Sequence, residues 1–423
     1  MSASKIDEIR EYVRDLCSRA RHAGRALAVV DDEVRSNALR QGAAALRDNA
    51  QRIVAENAED VAAGRADGLT EALIDRLTLT PDRIEGMAEG LETVAALPDP
   101  LAEAIDEWDA PSGIHIRQVR IPIGVVAVIY ESRPNVTADV AALCIKSGNA
   151  CILKGGKEAI RSNTVIAELL GEACEKAGIP AGAMQLVRRT DRETTTELLK
   201  QEAFVDVIIP RGGPGLVRAI AEHSSIPVIK HYEGVCNTFV DASADLASAA
   251  DIAINAKVQR PGVCNAMENL IVHADVADRF LRDLEPRLRE SGVELRADER
   301  ASAILGDSTP ATEDDWRTEY LDLMLAIKVV DSVDEAIDFI NEYGSGHSDA
   351  IVTANDANAN KFLREVDSAV VYRNASTRFT DGFAFGFGAE VGISTNRIHA
   401  RGPMGLRELT TYKYYVLGEG QVR

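Results

Sequence analysis

The sequence predicts an α/β protein carrying two doubly wound, mainly parallel sheets. Three observations point there. Beyond residue 120, short apolar runs alternate with stretches of helical periodicity. The runs are apolar at nearly every position, as suits parallel strands buried on both faces. Glycine-rich turns recur where a strand gives way to a helix. With 423 residues, two or three domains are expected.

Taken in order, the chain up to Pro98 reads as helices, with alanine and charge at helical spacing over 6–28 and 33–49 and breaks at Pro81 and Pro98. Residues 114–120 alternate like a strand, and Pro122 separates them from the apolar run 123–130. Helix 136–146, strand 151–154, helix 163–177 and strand 184–187 follow. Helix 194–200, strand 205–209, helix 216–223 and strand 227–229 complete the first series. A second series starts near Leu246 with a helix, a turn carrying Cys264, strand 269–273 and helix 276–290. It continues with strand 323–330, helix 333–341, strand 350–353, helix 357–366 and strand 369–372. The aromatic tail 409–417 reads as a strand that pairs with a sheet elsewhere, another subunit being one option. No internal repeat or low-complexity tract interrupts this order.

Composition narrows the function classes. Hydrophobic residues at 46% and charged residues at 27% are ordinary for a soluble globular protein. A net charge of −20 argues against a nucleic-acid-binding surface. The 36 arginines far outnumber the 11 lysines, and with 67 acidic residues the surface looks suited to high salt. The opening residues lack the apolar core of a signal peptide, and no apolar run approaches the ~18 residues of a membrane span, so no membrane partner is expected. Six cysteines without a CxxC pair suggest reduced thiols and a cytoplasmic setting. No metal is expected, because the seven histidines form neither HxxxH nor HExxH. A GxSxG hydrolase elbow is present only in the loosest sense.

Five segments carry candidate chemistry. Cys264 sits in Gln-Arg-Pro-Gly-Val-Cys-Asn on a Pro-Gly turn, open to a substrate, with Lys257 and Arg260 upstream to favour its thiolate. The alternative is a small buried hydrophobe. Leu-Lys-Gly-Gly-Lys at 153–157 ends a strand where open α/β sheets bind ligands, and either holds a ribose or phosphate or is a plain turn. Ile-Pro-Arg-Gly-Gly-Pro-Gly at 209–215 occupies an equivalent junction, where glycine backbone and a helix N-terminus favour an anion. In Tyr-Glu-Ser-Arg-Pro-Asn-Val-Thr at 130–137, Asn135 is either a helix cap or a donor aimed at a reacting carbonyl. The loop 374–388, with Phe383, Phe385 and Phe387, is either a binding segment or a solvent loop.

These motifs, together with Asn-Ala-Ser-Thr-Arg-Phe-Thr-Asp-Gly at 374–382 and His-Ala-Arg-Gly-Pro-Met-Gly at 399–405, occur in an order that resembles the gamma-glutamyl phosphate reductase (glutamate-5-semialdehyde dehydrogenase) family of the aldehyde dehydrogenase superfamily. The resemblance covers nearly the whole chain. It implies an aldehyde dehydrogenase-like α/β fold with an NADP-binding domain over 1–102 and 121–240 and a catalytic domain over 241–400. Oligomerisation strands over 103–120 and 401–423 complete the expected layout.

The implied reaction is NADPH-dependent reduction of L-glutamate 5-phosphate to glutamate 5-semialdehyde and phosphate, the second step of proline synthesis. The implied nucleophile is Cys264, which forms a thioester, and the oxyanion donors are the Asn135 amide and the Cys264 backbone N–H. Lys154, Lys157, Arg211, Gly212, Gly213 and Glu319 are candidates for NADP. Arg133, Asn374, Ser376, Thr377 and Arg378 are candidates for substrate carboxylate or phosphate. A homo-oligomer and a transient glutamate kinase partner are expected. Oxidising relatives carry a glutamate base before the cysteine; here that region is Ile-Lys-His-Tyr-Glu-Gly-Val-Cys-Asn at 229–237, with His231 at the base position and Glu233 nearby. A reductase is better without a base that activates water. Asn237 departs from the family pattern, in which many members have histidine. The competing readings are a phosphate-independent semialdehyde dehydrogenase and a non-catalytic nucleotide-binding partner.

Overall fold

Apolar alternation on two faces, rather than one, dictates the architecture. A computed structural model describes residues 3–422, which fall into two compact units. One comprises the described residues up to Lys230 with Gly386–Gly392 and the chain from Met404 onward; the other comprises His231–Phe385 and Ile393–Pro403.

In the first unit, four parallel strands lie in the order Met184–Leu186, Ala150–Lys154, Val125–Tyr130, Val207–Arg211. All six residues of Val125–Tyr130 are buried, as a central parallel strand requires. Val125, Ala127 and Ile129 pack with Ile9, Val13 and Leu16 of helix Ala3–Leu27. The expected strand 227–229 is reduced to one bridge, Ile208 with Val228, because Pro227 supplies no backbone donor. The helical start holds: Asp32–Asp48, Ala50–Ala66 and Pro81–Ala96 are helices, the last capped by Thr80 with proline in its first turn.

The aromatic tail, Thr410–Leu417, pairs antiparallel with His115–Pro122 of its own chain, which in turn pairs with Ala104–Asp109. Pro122 ends the middle strand and does not lie beyond it.

The second unit is built on seven parallel strands. Their order is Thr309–Pro310, Glu294–Ala297, Met324–Val330, Met267–His273, Cys236–Val240, Ser348–Val352, Val370–Arg373. Successive residues of Met267–His273 face opposite cores. Leu270 and Val272 meet Phe280 and Leu284 on one side, and Ile271 meets Phe339 and Phe362 on the other. Cys236–Val240, assigned by sequence to the NADP-binding domain ending at 240, is the fifth strand of this sheet. The strands Glu294–Ala297 and Thr309–Pro310 escaped the sequence reading because they are short and their outer positions are polar.

No helix among the described residues is long and apolar enough to cross a membrane.

Candidate active site

The turn that carries Cys264 links helix Leu246–Val258 to strand Met267–His273, as the Pro-Gly signal suggests. Of the six thiols, five are buried and only Cys264 is half-exposed. Backbone contacts immobilise it. A Cβ placed on Gly234 would fall 2.0 Å from the Cys264 carbonyl oxygen and 2.5 Å from its Cα, so only glycine permits this approach. The buried Cys236 thiol donates to the same carbonyl oxygen at 3.2 Å. Burial first, then the nearby Asp349, pushes the Cys236 thiol well above its usual range, so it stays protonated and acts as a donor.

Asn265, next to Cys264, is held by the loop expected to bind substrate. Its carbonyl accepts from Thr377 Oγ1 at 2.8 Å, its Nδ2 donates to the Thr380 carbonyl at 2.9 Å, and its Oδ1 accepts from Arg378. Ser376 Oγ accepts from the Arg378 amide at 3.3 Å. Asn374 adopts φ 54° and uses its amide on both the N–H and the carbonyl of Thr353, at 2.8 and 3.0 Å. Three of the loop's candidates therefore hold backbone, and Arg378 is the one that presents charge at the thiol. Its guanidinium pKa is lowered by burial and then by Arg260, and it also interacts with Cys264.

Lys257 corrects the expectation that it favours the thiolate. It is fully buried and its Nζ donates to Glu268 Oε2 at 2.5 Å, so its charge is spent inside the unit. Burial lowers the lysine and raises Glu268 to about 7, the same cause acting on opposite charges. Arg260, one turn further on, is exposed and close to Arg378.

Glu319 is half-buried and accepts from the Gly234 amide, which ties it to the backbone that abuts Cys264. Burial raises its pKa most, and Glu233 adds to the rise.

His231, expected at the base position, is an imidazole rather than a carboxylate. His231 Nδ1 lies 3.0 Å from the Ile393 carbonyl oxygen, so this nitrogen carries a proton and donates there. Its ring meets that of His347 edge-on at 5.5 Å. His347 is completely buried, and burial followed by His231 lowers its pKa to about 3, so the ring is neutral. His347 went unnoticed in the sequence. Its Gly-His-Ser setting at the start of a buried strand was the only available signal.

Asn237 is also wholly buried. Its N–H and Nδ2 donate to Asp349 Oδ1 at 2.8 and 2.6 Å, and its Oδ1 accepts from Asn269 Nδ2 at 2.9 Å. In this chain it ties neighbouring strands together.

In the first unit the expected cofactor residues collect at the carboxyl edge of the sheet. Lys154 is 7% exposed, its Nζ donating to the Gly155 carbonyl at 3.0 Å; burial lowers its pKa, opposed by Glu158. Lys157 is exposed and 3.3 Å from Asp67. Arg211 ends its strand, and Gly213 caps helix Pro214–His223. A Cβ on Gly213 or Gly215 would meet nothing within 4 Å, so this backbone lies open. At Gly155 a Cβ would fall 2.1 Å from Asn163 Nδ2, a buried donor with no partner among the described residues. A nucleotide's phosphate or ribose fits open glycine backbone, a helix N-terminus, a lysine and an orphaned donor. One feature opposes an anion: Glu131 Oε2 already accepts from the Gly213 amide at 3.0 Å.

Asn135 begins helix Asn135–Lys146 and donates to Asp139 Oδ2 at 2.9 Å. Burial raises Asp139 to about 6, opposed by that hydrogen bond and by Arg211. Arg133 is exposed just before the helix.

Comparison with known proteins places these features in a family. The aldehyde dehydrogenase family profile matches residues 5–306 and 304–414. The gamma-glutamyl phosphate reductase of Clostridium novyi (strain NT) is 52% identical, over 98% of this chain and all of its own. That of Aquifex aeolicus (strain VF5) is 51% identical, over 97% of each. The crystal structure of the Thermotoga maritima gamma-glutamyl phosphate reductase superposes with a TM-score of 0.95 at 47% identity, covering 97% of this chain and 99% of that one. An engineered glycolyl-CoA reductase solved with NADP+ shares the fold at 14% identity, with a TM-score of 0.68 and 96% of each chain covered.

Proposed function

The chain belongs to the aldehyde dehydrogenase family, and from that premise we propose that it reduces L-glutamate 5-phosphate to glutamate 5-semialdehyde and phosphate, as a gamma-glutamyl phosphate reductase acting in proline biosynthesis. The observation that carries this reading is Cys264, the one half-exposed thiol, on a turn whose backbone cannot shift.

The Cys264 thiolate attacks the acyl carbon of the mixed anhydride. The carbon–oxygen bond to phosphate breaks, phosphate leaves, and a thioester remains on the protein. Arg378, beside the thiol, attracts the anionic substrate. The Cys264 backbone N–H and the Asn135 amide are the assigned oxyanion donors. NADPH, when bound, supplies the hydride that reduces the thioester carbon. Cys264 then departs as thiolate and releases the aldehyde.

Lys154, Lys157, Gly212, Gly213 and Arg211 are the assigned residues for the nucleotide, with Glu319 toward the nicotinamide ribose. The preference for NADPH over NADH rests on the two lysines. The three-stranded sheet, with Trp108, Tyr412 and Tyr414 exposed, is the assigned surface for self-association. A transient glutamate kinase partner would shield the labile acyl phosphate, and the acidic surface fits a cytoplasm of high salt.

The test runs the reaction backwards. Glutamate 5-semialdehyde, phosphate and NADP should yield NADPH, and Cys264→Ser should not. Turnover independent of phosphate would sink this function and favour an oxidising semialdehyde dehydrogenase.

A further inference from the structure

The Cys264 turn gathers a donor set whose chemistry extends beyond acyl transfer. The Cys264 Sγ and one ring nitrogen each of His231 and His347 all lie within 4.8 Å of one another. We propose that these three residues form a binding site for a thiophilic divalent cation, zinc by its chemistry, which reversibly blocks the nucleophile.

Three atoms so spaced leave a point no more than about 2.8 Å from each, against zinc bonds of about 2.0–2.3 Å. Each ligand therefore moves by roughly half an ångström to close the site. One thiolate and two imidazoles are the borderline-soft donors that zinc takes, in preference to calcium or magnesium. Three protein ligands also leave the fourth tetrahedral position to water.

The surroundings fix both rings for the task. Metal-ligating histidines hold their second nitrogen in a hydrogen bond, which sets the tautomer and the ring orientation. His231 Nδ1 donates to the Ile393 carbonyl at 3.0 Å. His347 Nδ1 lies 2.8 Å from Ser348 Oγ, which lies 2.6 Å from Thr380 Oγ1, which in turn lies 2.8 Å from the Tyr372 hydroxyl. His347 Nε2 is buried and has no partner among the described residues, in a ring that is fully enclosed. A buried imidazole nitrogen without a partner is costly unless something binds it. Zinc would satisfy it, and the thiol would give up its proton to solvent as the sulfur–zinc bond forms.

The test is a titration of metal-free protein with zinc sulfate, followed by calorimetry in two buffers of different ionisation enthalpy. One zinc per chain, with one proton released, is expected. Cys264→Ser and His231→Gln should each weaken binding more than tenfold. Ser348→Ala, which leaves all three ligands in place, should weaken it about 10–100-fold. Cobalt in place of zinc should give a thiolate charge-transfer band that Cys264→Ser lacks. Because the other five thiols are buried, iodoacetamide labelling reads Cys264, and zinc should slow it in the wild type but not in His231→Gln. Full-strength binding by Cys264→Ser, or equal protection from labelling in His231→Gln, would overturn the site. The titration needs no turnover, so it stands or falls apart from the reaction; only the blocking effect on catalysis rests on Cys264 being the nucleophile.

Discussion

The two sheets place their candidate residues on opposite edges. In the first unit the chain builds outward from Val125–Tyr130 through Ala150–Lys154 to Met184–Leu186, then returns to the other side as Val207–Arg211. Strand order reverses there, and Glu131, Lys154 and Gly213 stand at the carboxyl ends, where open α/β sheets bind ligands. In the second unit the reversal falls between Cys236–Val240 and Ser348–Val352. The carboxyl ends there are closed by Asp241, whose Oδ2 accepts from Ser243 Oγ and Thr353 Oγ1, both at 2.7 Å. The thiol and imidazoles lie at the amino ends instead: His347 and Cys264 precede their strands, and Cys236 opens its own. The carboxyl edge of the first sheet offers open backbone to a ligand. At the amino edge of the second, buried side chains clamp a single turn. Binding tolerates the first arrangement, whereas a nucleophile needs the second.

Asn135→Ala tests that division most severely. Asn135 belongs to the first unit, yet the oxyanion assignment gives it a catalytic part. Turnover should fall by roughly 10²–10³ with the cofactor KM little changed. A change confined to cofactor KM would rule out the catalytic part and leave Asn135 only its bond to Asp139, since the helix N-cap is Pro134 and no side chain caps it.

Gly234→Ala comes next. The new methyl cannot sit 2.0 Å from the Cys264 carbonyl oxygen, so the turn must shift, and kcat should drop about 10²-fold. Steady-state kinetics at saturating cofactor would show it, and unchanged kcat would mean the turn is looser than its contacts imply.

Lys154→Met addresses the open edge. Loss of a charged donor worth about 1.5–3 kcal/mol should raise the KM for NADPH roughly tenfold or more while kcat holds. A drop in kcat alone would contradict a binding role.

Asp139→Asn should have the smallest effect, and it depends on pH. The Asp139 carboxyl is raised from 3.8 to about 6 in the folded protein, so its protonated form is favoured by folding. That stability is fully present below about 3.8 and is lost as pH rises through about 6. Urea melts should show the variant gaining about 1–2 kcal/mol on the wild type at pH 8, with no such gain at pH 4. An equal difference at both pH values would rule out titration of Asp139 as the cause.

Much of the site could be read along the chain, and what could not shares a physical cause. The Pro-Gly turn at Cys264 and the glycines at Gly212 and Gly213 are local signals, written in adjacent residues. Lys257 misled because sequence gives its distance along a helix and not its side: it turns inward to Glu268. Asn374, Ser376 and Thr377 looked like ligand donors because hydroxyl and amide side chains suit backbone as well as substrate. Gly234 carried no sign of its role, since the atom it must avoid lies in another segment.

The sequence by itself determined the α/β class, the order of most strands and helices, and the turn that carries Cys264, because apolar periodicity and turn chemistry are properties of neighbouring residues. Tertiary structure alone decided which edge of each sheet carries the candidate residues. It also decided that Cys236–Val240 joins the second sheet and that the tail strand pairs within its own chain. The meeting of His231, Cys264 and His347 belongs to the same class. Parallel pairing brings distant segments side by side, and no local periodicity encodes which partners they find.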